Sequence, residues 1–305
     1  MITVPDALAA LLLRDGGQTR EWIDRFPELA DHCLRQWQCE VEGPVATGAV
    51  AVIIPVRSSY GPAMVKISPP HPGNAHEHLA LRAWGGHGAV RLYRSDDLSG
   101  SELSGYALLL ERIEQRQLDV PADEGIVVGA RLLRRLAVPA PAGAKQLAAT
   151  TQEWEEQLKD DRRRSGNQLS DRAVGTALET IRDLGQDTTT TLLHGDLHGG
   201  NILHSARGWV AIDPKGMYGP RAFDSFTMCT YRWPFGTDID PVAEARRRIA
   251  IFSEAAEADP ELSLRCAQAR AATGVLWDRA RDGGRPVPDI DPRVALAETL
   301  LARTG

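Results

Sequence analysis

Leu192-Leu193-His194-Gly195-Asp196-Leu197-His198-Gly199-Gly200-Asn201-Ile202-Leu203, followed after five residues by Trp209-Val210-Ala211-Ile212-Asp213-Pro214, is the stretch on which the reading of this chain turns. Apolar runs flank a polar loop that carries a carboxylate and a carboxamide five positions apart, and a further apolar run ends on a second carboxylate. Phosphoryl transfer from a nucleoside triphosphate asks for such a set. One carboxylate must stand beside the attacking hydroxyl, and oxygen donors must hold Mg²⁺ against the phosphates. A tight turn can present Asp196 and Asn201 on one side, and two short strands can return Asp213 beside them. A lone His-Gly-Asp would be a turn with an ordinary Asp; three oxygen donors in register separate the two readings.

On the N-terminal side the chain reads as mixed strand and helix. Asp6 and Arg14 flank the first apolar run, which lacks a basic leader and suits an amphipathic helix better than a secretory signal. Glu21–Gln36 is predicted helical and Gln38–Glu42 a strand. Gly43-Pro44-Val45-Ala46-Thr47-Gly48 reads as a turn, Ala49–Val56 as a strand, Arg57–Pro62 as a second turn and Ala63–Ile67 as a third strand. Asn74–Trp84 is predicted helical and stopped by Gly85-Gly86, and Val90–Tyr93 and Tyr106–Leu110 are two further strands. This is the element order of a protein-kinase N-lobe. Lys66 lies inside an apolar strand, where an unpaired ammonium is costly. Glu77, in the helix that follows, is its expected partner, and a lysine snorkelling from an edge strand is the plainer alternative.

Beyond Glu111 the patterns are helical: Asp123–Leu136, Ala144–Lys159 and Asp171–Leu184, and again from Asp224 onward with breaks at Pro234, Pro241, Pro260 and Gly283-Gly284. The expected fold is therefore α+β and two-lobed, protein-kinase-like: a small antiparallel-sheet N-lobe over residues 1–112 and a larger, mainly helical C-lobe over 113–305.

The run HGDLHGGN with its later IDP resembles the catalytic loop and metal site of the aminoglycoside phosphotransferase superfamily. AIDPKGMYGPRAFD, with HEHLALRAWGGHGAVRLYR and ALLLERI, is similar to the streptomycin 6-phosphotransferase and hydroxyurea phosphotransferase family, from about Val4 to Leu301. The resemblance implies that Asp196 takes the acceptor hydroxyl's proton and that Asn201 and Asp213 are the Mg²⁺ ligands. It implies that Lys66 contacts the α- and β-phosphates, that Glu77 orients it, and that the backbone at Glu111 and Ile113 recognises the purine of ATP, with GTP left open. Gly43 and Gly48 would border the phosphate-covering loop, which is poor in glycine. His194, His198 and Asp224 are expected to brace the catalytic loop. Lys215, two residues after Asp213, could touch the phosphates or simply be solvated.

The resemblance makes the acceptor a small molecule, first an aminoglycoside such as streptomycin, with hydroxyurea, a sugar or another antibiotic as the competing class. A cationic, polyhydroxylated acceptor would need carboxylates at the entrance, so at least two acids from Ala144–Lys159 and Glu261–Asp282 should face the cleft. Glu156 and Asp278, with Trp277 beside them, are the candidates, against a plainer reading as solvated acids and a core tryptophan. A pseudokinase that holds nucleotide without transferring it is disfavoured by the intact Lys66, Asp196, Asn201 and Asp213. A protein kinase is disfavoured by the lack of a long activation loop after Asp213.

Composition agrees with an ordinary globular chain: 305 residues, 43% hydrophobic and 25% charged. A net charge of −6 argues against nucleic acid. No apolar run approaches the roughly 18 residues of a membrane span. The four cysteines form no CxxC pair and read as buried reduced thiols of a cytoplasmic protein. No obligate protein partner is expected.

Overall fold

The computed structural model describes residues 1–13, 18–98, 105–113, 116–166, 168–234, 239–281 and 291–301. Helices α1 (Asp6–Leu12) and α2 (Gln18–Gln36) precede the short strands β1 (Glu40–Val41) and β2 (Ala46–Thr47), then β3 (Val52–Ser58) and β4 (Gly61–Ser68). Helix α3 (Glu77–Trp84) leads to β5 (Leu92–Asp97) and β6 (Tyr106–Glu111). The strands form one antiparallel sheet in the order β1-β3-β4-β6-β5, with β2 also on β3.

Alternation along these strands sorts the side chains into two faces. Val52, Ile54, Val56, Ala63, Val65, Ile67, Ala107 and Leu109 are buried in one core with Trp22, Phe26, Leu29 and Cys33, the helically spaced stripe of α2. Ile53, Met64, Lys66 and Leu110 fall on the other face and line the cleft. Lys66 stands opposite Ile53 on β3 and Leu108 on β6, so it sits in the middle of the sheet, not at an edge.

Several predicted boundaries move. Between the β1 and β2 pairings, residues 42–45 stand opposite only Ile54 and Pro55. Gly43 and Pro44 therefore occupy a bulge in an edge strand, where the missing N–H of proline costs no ladder bond. The turn itself lies at Gly48–Ala51, closed by the Gly48 N–H donating to the Ala51 carbonyl (2.8 Å). Helix α3 begins at Glu77, three residues later than predicted. Strand β5 begins at Leu92 because Val90 is committed elsewhere: its N–H donates to the Ala211 carbonyl, and the Ala211 N–H donates to that of Gly88, both at 2.9 Å. Those bonds tie the sheet region directly to the helical lobe.

That lobe comprises α4 (Ala122–Leu136), β7 (Lys145–Gln146), α5 (Thr151–Ser165), α6 (Asp171–Leu184), β8 (Ile202–Ser205), β9 (Gly208–Ala211), β10 (Met217–Tyr218), α7 (Ser225–Cys229), α8 (Pro241–Ala256), α9 (Pro260–Arg281) and α10 (Pro292–Thr299). The predicted helix over 144–159 starts only at Thr151, because Lys145 and Gln146 pair in parallel with Met217 and Tyr218. Side-chain oxygens of Ser170, Asp240 and Asp291 cap α6, α8 and α10. Ile126, Leu133, Leu158, Ile181, Phe252, Val275 and Leu276 fill the second core, which reaches Leu192, Leu197 and Ile202 around the catalytic loop. Cys33, Cys229 and Cys266 are buried free thiols, whereas Cys39 is only half-buried. Among the described residues no helix is long and apolar enough to cross a membrane.

Candidate active site

A cavity of about 560 Å³ separates the cleft face of the sheet from the β8–β9 hairpin. Lys66 and Glu77 line one wall, and Asp196, Asn201 and Asp213 line the other. The Lys66 ammonium donates to both carboxylate oxygens of Glu77, at 2.8 and 2.7 Å, and also to Oδ1 of Asp213. Lys66 is 8% and Glu77 2% exposed, so the pair is held out of water. Burial alone would discharge Lys66. The charges of Glu77 and Asp213 more than offset that and hold its ammonium above the ordinary lysine range. Burial pushes the Glu77 carboxyl up against the pull of Lys66. For Asp213 burial acts upward too, but Lys66 and Lys215 prevail and keep it below the usual carboxylate range.

His194 shows how the catalytic loop is made rigid. It is fully buried. Its Nδ1 accepts the Asp196 N–H at 3.3 Å, so the proton sits on Nε2, which donates to the Ile212 carbonyl at 2.9 Å. Burial lowers its pKa to about 3, and the ring is a neutral brace between the residue before Asp213 and the backbone of Asp196. Trp84 of α3 stacks near this ring, with centroids 6.4 Å apart. Asn201 donates from Nδ2 to the Asp196 carbonyl at 3.0 Å, which leaves its amide oxygen for another partner. His198 lines the cavity, and its Nδ1 accepts the Gly200 N–H at 3.1 Å. Asp224, also buried, accepts the Gly195 N–H on Oδ2 at 3.2 Å, and burial raises its pKa to about 6.

Glu111 and Ile113 line the same cavity. The Glu111 N–H is already spent on the Arg91 carbonyl (2.9 Å), so this residue can meet a purine only through its carbonyl. Its carboxylate takes a two-pronged bond from the Arg207 guanidinium (2.5 and 2.7 Å), pinning the hinge to the turn between β8 and β9. Burial opposes the charge on Glu111, but Arg207 keeps the carboxyl below its ordinary range.

Gly48 lines the cavity and Gly43, in its bulge, does not. Glu156, Trp277 and Asp278 also lie off it, and none of the described residues of 144–159 or 261–282 lines it, so the acids expected from those helices do not face this cavity. Asp278 turns toward α10 and pairs with Arg293 at 2.8 Å. Trp277 is 41% exposed under the Arg281 guanidinium. Glu156 is exposed on α5 and accepts from Gln152 at 3.1 Å. Trp154 instead turns inward, donating to Thr273 (2.9 Å) and packing edge-on against Phe223 beside Asp224.

Two supporting residues escaped the sequence reading. Tyr231 donates to the Leu118 carbonyl (3.0 Å), and its ring fills the space where a Cβ on Gly199 would lie, 2.5 Å away. Gly216 has φ +63°, and a Cβ there would stand 2.1 Å from the His76 carbonyl oxygen, directly before Glu77. The glycine in Lys215-Gly216 was the available signal, but a contact between the segment after Asp213 and the start of α3 leaves no trace in sequence spacing.

Residues 36–283 match the family model for aminoglycoside/hydroxyurea antibiotic resistance kinases. The chain belongs to that family. A streptomycin 6-kinase from Streptomyces griseus is 32% identical over 98% of this chain and 97% of the relative. A hydroxyurea phosphotransferase from Kitasatospora aureofaciens is 29% identical over 100% and 88%. Among solved structures, a thermostable mutant of an aminoglycoside phosphotransferase, in ternary complex with ADP and hygromycin B, aligns with a TM-score of 0.53 at 12% identity, covering 88% of this chain and 97% of that one. A choline kinase from Streptococcus pneumoniae aligns with the same score at 13% identity, over 89% and 97%. The fold of this kinase is thus the two-lobed α+β fold of small-molecule phosphotransferases, and the enzyme binds a nucleotide and phosphorylates a small molecule.

Proposed function

We propose that this kinase moves the γ-phosphoryl group of ATP onto a hydroxyl of an aminoglycoside of the streptomycin kind, inactivating it. The single observation that carries the reading is the meeting of Lys66–Glu77 with Asp196, Asn201 and Asp213 across one cavity. Full-length likeness to a streptomycin 6-kinase supports the acceptor. The residues present suit Mg²⁺: the Asp213 carboxylate and the Asn201 amide oxygen are hard donors on one cavity wall. When bound there, Mg²⁺ would neutralise charge on the β- and γ-phosphates. Lys66, held by Glu77, meets the α- and β-phosphates, and the Glu111 carbonyl and Ile113 backbone hold the base. Asp196, its backbone fixed by His194, accepts the acceptor's proton as the hydroxyl oxygen bonds to phosphorus and the bond to the leaving oxygen of ADP breaks. The division of the lobes at residue 112/113 follows from the same reading.

Hydroxyurea is the second acceptor to weigh, because a hydroxyurea phosphotransferase matches the whole of this chain. Nucleotide consumption over a panel of aminoglycosides, hydroxyurea and simple sugars decides between them. Streptomycin-dependent ADP release, lowered by roughly a thousandfold or more in Asp196→Ala, is the expected result. Turnover with hydroxyurea and none with any aminoglycoside would replace the acceptor. Near wild-type turnover in Asp196→Ala would overturn the assignment of the base.

A further inference from the structure

Lys215 is the second ammonium of the cleft, and neither the family pattern of Lys66–Glu77 nor the metal set uses it. Its Nζ lies 3.7 Å from Oδ2 of Asp196 and 3.5 Å from Oδ2 of Asp213. One cation thus stands between the carboxylate that takes the acceptor's proton and the carboxylate that holds the metal. The two oxygens can be no further apart than those two distances laid end to end.

A solvated lysine would be free to swing away, and this one is built in at its root. Its N–H donates to the His194 carbonyl at 2.8 Å, so its backbone is stitched to the catalytic loop. It lies between Asp213 (φ 59°) and Gly216 (φ 63°), both in left-handed conformation, which turns the chain sharply on each side. A Cβ on Gly195 would come within 3.0 Å of the Lys215 Cβ, so the stem leaves the backbone packed against the catalytic loop. The side chain is only 25% exposed, and it lines the cavity.

Resting on the assignment of Asp196 and Asp213 above, we infer that Lys215 is a catalytic residue that donates hydrogen bonds to the transferred phosphoryl group. In transfer the acceptor oxygen bonds to phosphorus, the bond to the ADP oxygen breaks with its electron pair, and the hydroxyl proton passes to Asp196. Lys215 changes no bond. Its charge faces the oxygens on which negative charge is spread between the two partners, inside a cavity where such contacts are strong. Lys66 is occupied by Glu77 and Asp213 and meets the inner phosphates, so the two lysines divide the triphosphate: one holds what stays, the other what moves.

The experiment compares Lys215→Met, Lys215→Arg and Lys215→Cys, the last before and after aminoethylation, with Asp196→Ala as reference. ADP release from Mg-ATP is followed with streptomycin and with water as acceptor, and Mg-ATP affinity by calorimetry. The expected result for Lys215→Met is a fall in kcat of about 10²–10³-fold, the usual effect of removing one preorganised donor to transition-state charge, with Mg-ATP affinity changed only a few-fold. Aminoethylation of the cysteine variant, which restores a lysine-like ammonium, should recover much of the loss, with the wild-type protein treated alongside to account for Cys39. Turnover of Lys215→Met within threefold of wild type, while Asp196→Ala is dead, would overturn the inference and leave the assignment of the site standing. Loss of Mg-ATP affinity equal to the loss of kcat/KM would also overturn it, making Lys215 a ground-state clamp. Wild-type turnover in both variants would instead bring down the underlying assignment, and the inference with it.

Discussion

Replacing Glu77 alone should destabilise the protein, whereas replacing Glu77 together with Lys66 should leave stability nearly unchanged, and both should cost activity alike. Glu77→Leu leaves the Lys66 ammonium in a position 8% exposed. Removing one partner of a buried pair usually costs about 3–5 kcal/mol, because the other charge is stranded. Here Lys66 keeps Asp213, whose side chain is 29% exposed, so the lower part of that range, about 3 kcal/mol, is expected. Lys66→Met/Glu77→Leu removes the stranded charge and offers apolar volume to a site bordered by Ile53, Met64 and Leu108. Asp213 retains Lys215 at 3.5 Å, so the double variant should return to within about 1 kcal/mol of wild type. Both variants should lose at least about a hundredfold in turnover, since the inner phosphates are no longer positioned. Urea unfolding without nucleotide, followed by tryptophan fluorescence and circular dichroism together, measures the first quantity. ADP release measures the second. A double variant no more stable than Glu77→Leu would refute the reasoning, because the penalty would then not come from an unpaired buried ammonium.

Asp213→Asn should weaken Mg-ATP binding and abolish transfer, since Mg²⁺ prefers anionic oxygen; unchanged Mg-ATP affinity in calorimetry would remove Asp213 from the metal site. Gly216→Ala should cost about 2–5 kcal/mol through its left-handed backbone and its collision with the His76 carbonyl, read as a lower melting temperature, and an unchanged one would show that the contact yields freely. His194 takes a proton near pH 6.5 when unfolded but only near 3 when folded. The unfolded state binds more protons in that window, so this contribution to stability is lost as pH falls from 6.5 toward 3. Asp224 works the other way between about 6 and its ordinary 3.8, where the folded state holds the extra proton. Asp224→Asn should therefore steepen the loss of stability between pH 6 and 4, and a pH profile superimposable on that of wild type would contradict the raised Asp224 pKa.

The parts of the fold that were legible are those set by local periodicity. The alternation of β3, β4 and β6, the stripe on α2 and the helices α4 and α6 all follow from which side chains must leave water. What was misplaced depended on distant partners. Lys145 and Gln146 carry a helical pattern yet pair with Met217 and Tyr218, and Val90 is drawn from its own sheet to Ala211. The edge bulge at Gly43–Val45 reads in sequence as a turn because glycine and proline mark both.

The site itself was legible for a different reason. Asp196, Asn201 and Asp213 lie within one loop and one hairpin, so their mutual placement is fixed by eighteen consecutive residues rather than by the assembly of the whole chain. Their supports come from elsewhere: Trp84 from α3, Tyr231 from beyond α7, Asp224 from the turn before it, His76 from the entry to α3. Residue type alone points to Glu156 and Asp278, and type says nothing about the azimuth of a helix. On α9 the face that carries Asp278 is claimed by Arg293 of α10, while Trp154, the fourth residue of α5 counted from Thr151, turns inward to Thr273 and Phe223. The chemistry is therefore written locally and the acceptor's surroundings are assembled globally. Relatives named for streptomycin and for hydroxyurea both match nearly the whole of this chain, so overall likeness does not by itself choose the acceptor. The hairpin needs only a rigid seat, and the neutral His194 supplies it: accepting the Asp196 N–H on one ring nitrogen and donating to the Ile212 carbonyl from the other, it ties the proposed proton acceptor to the residue before the proposed metal carboxylate, whatever the outer helices present.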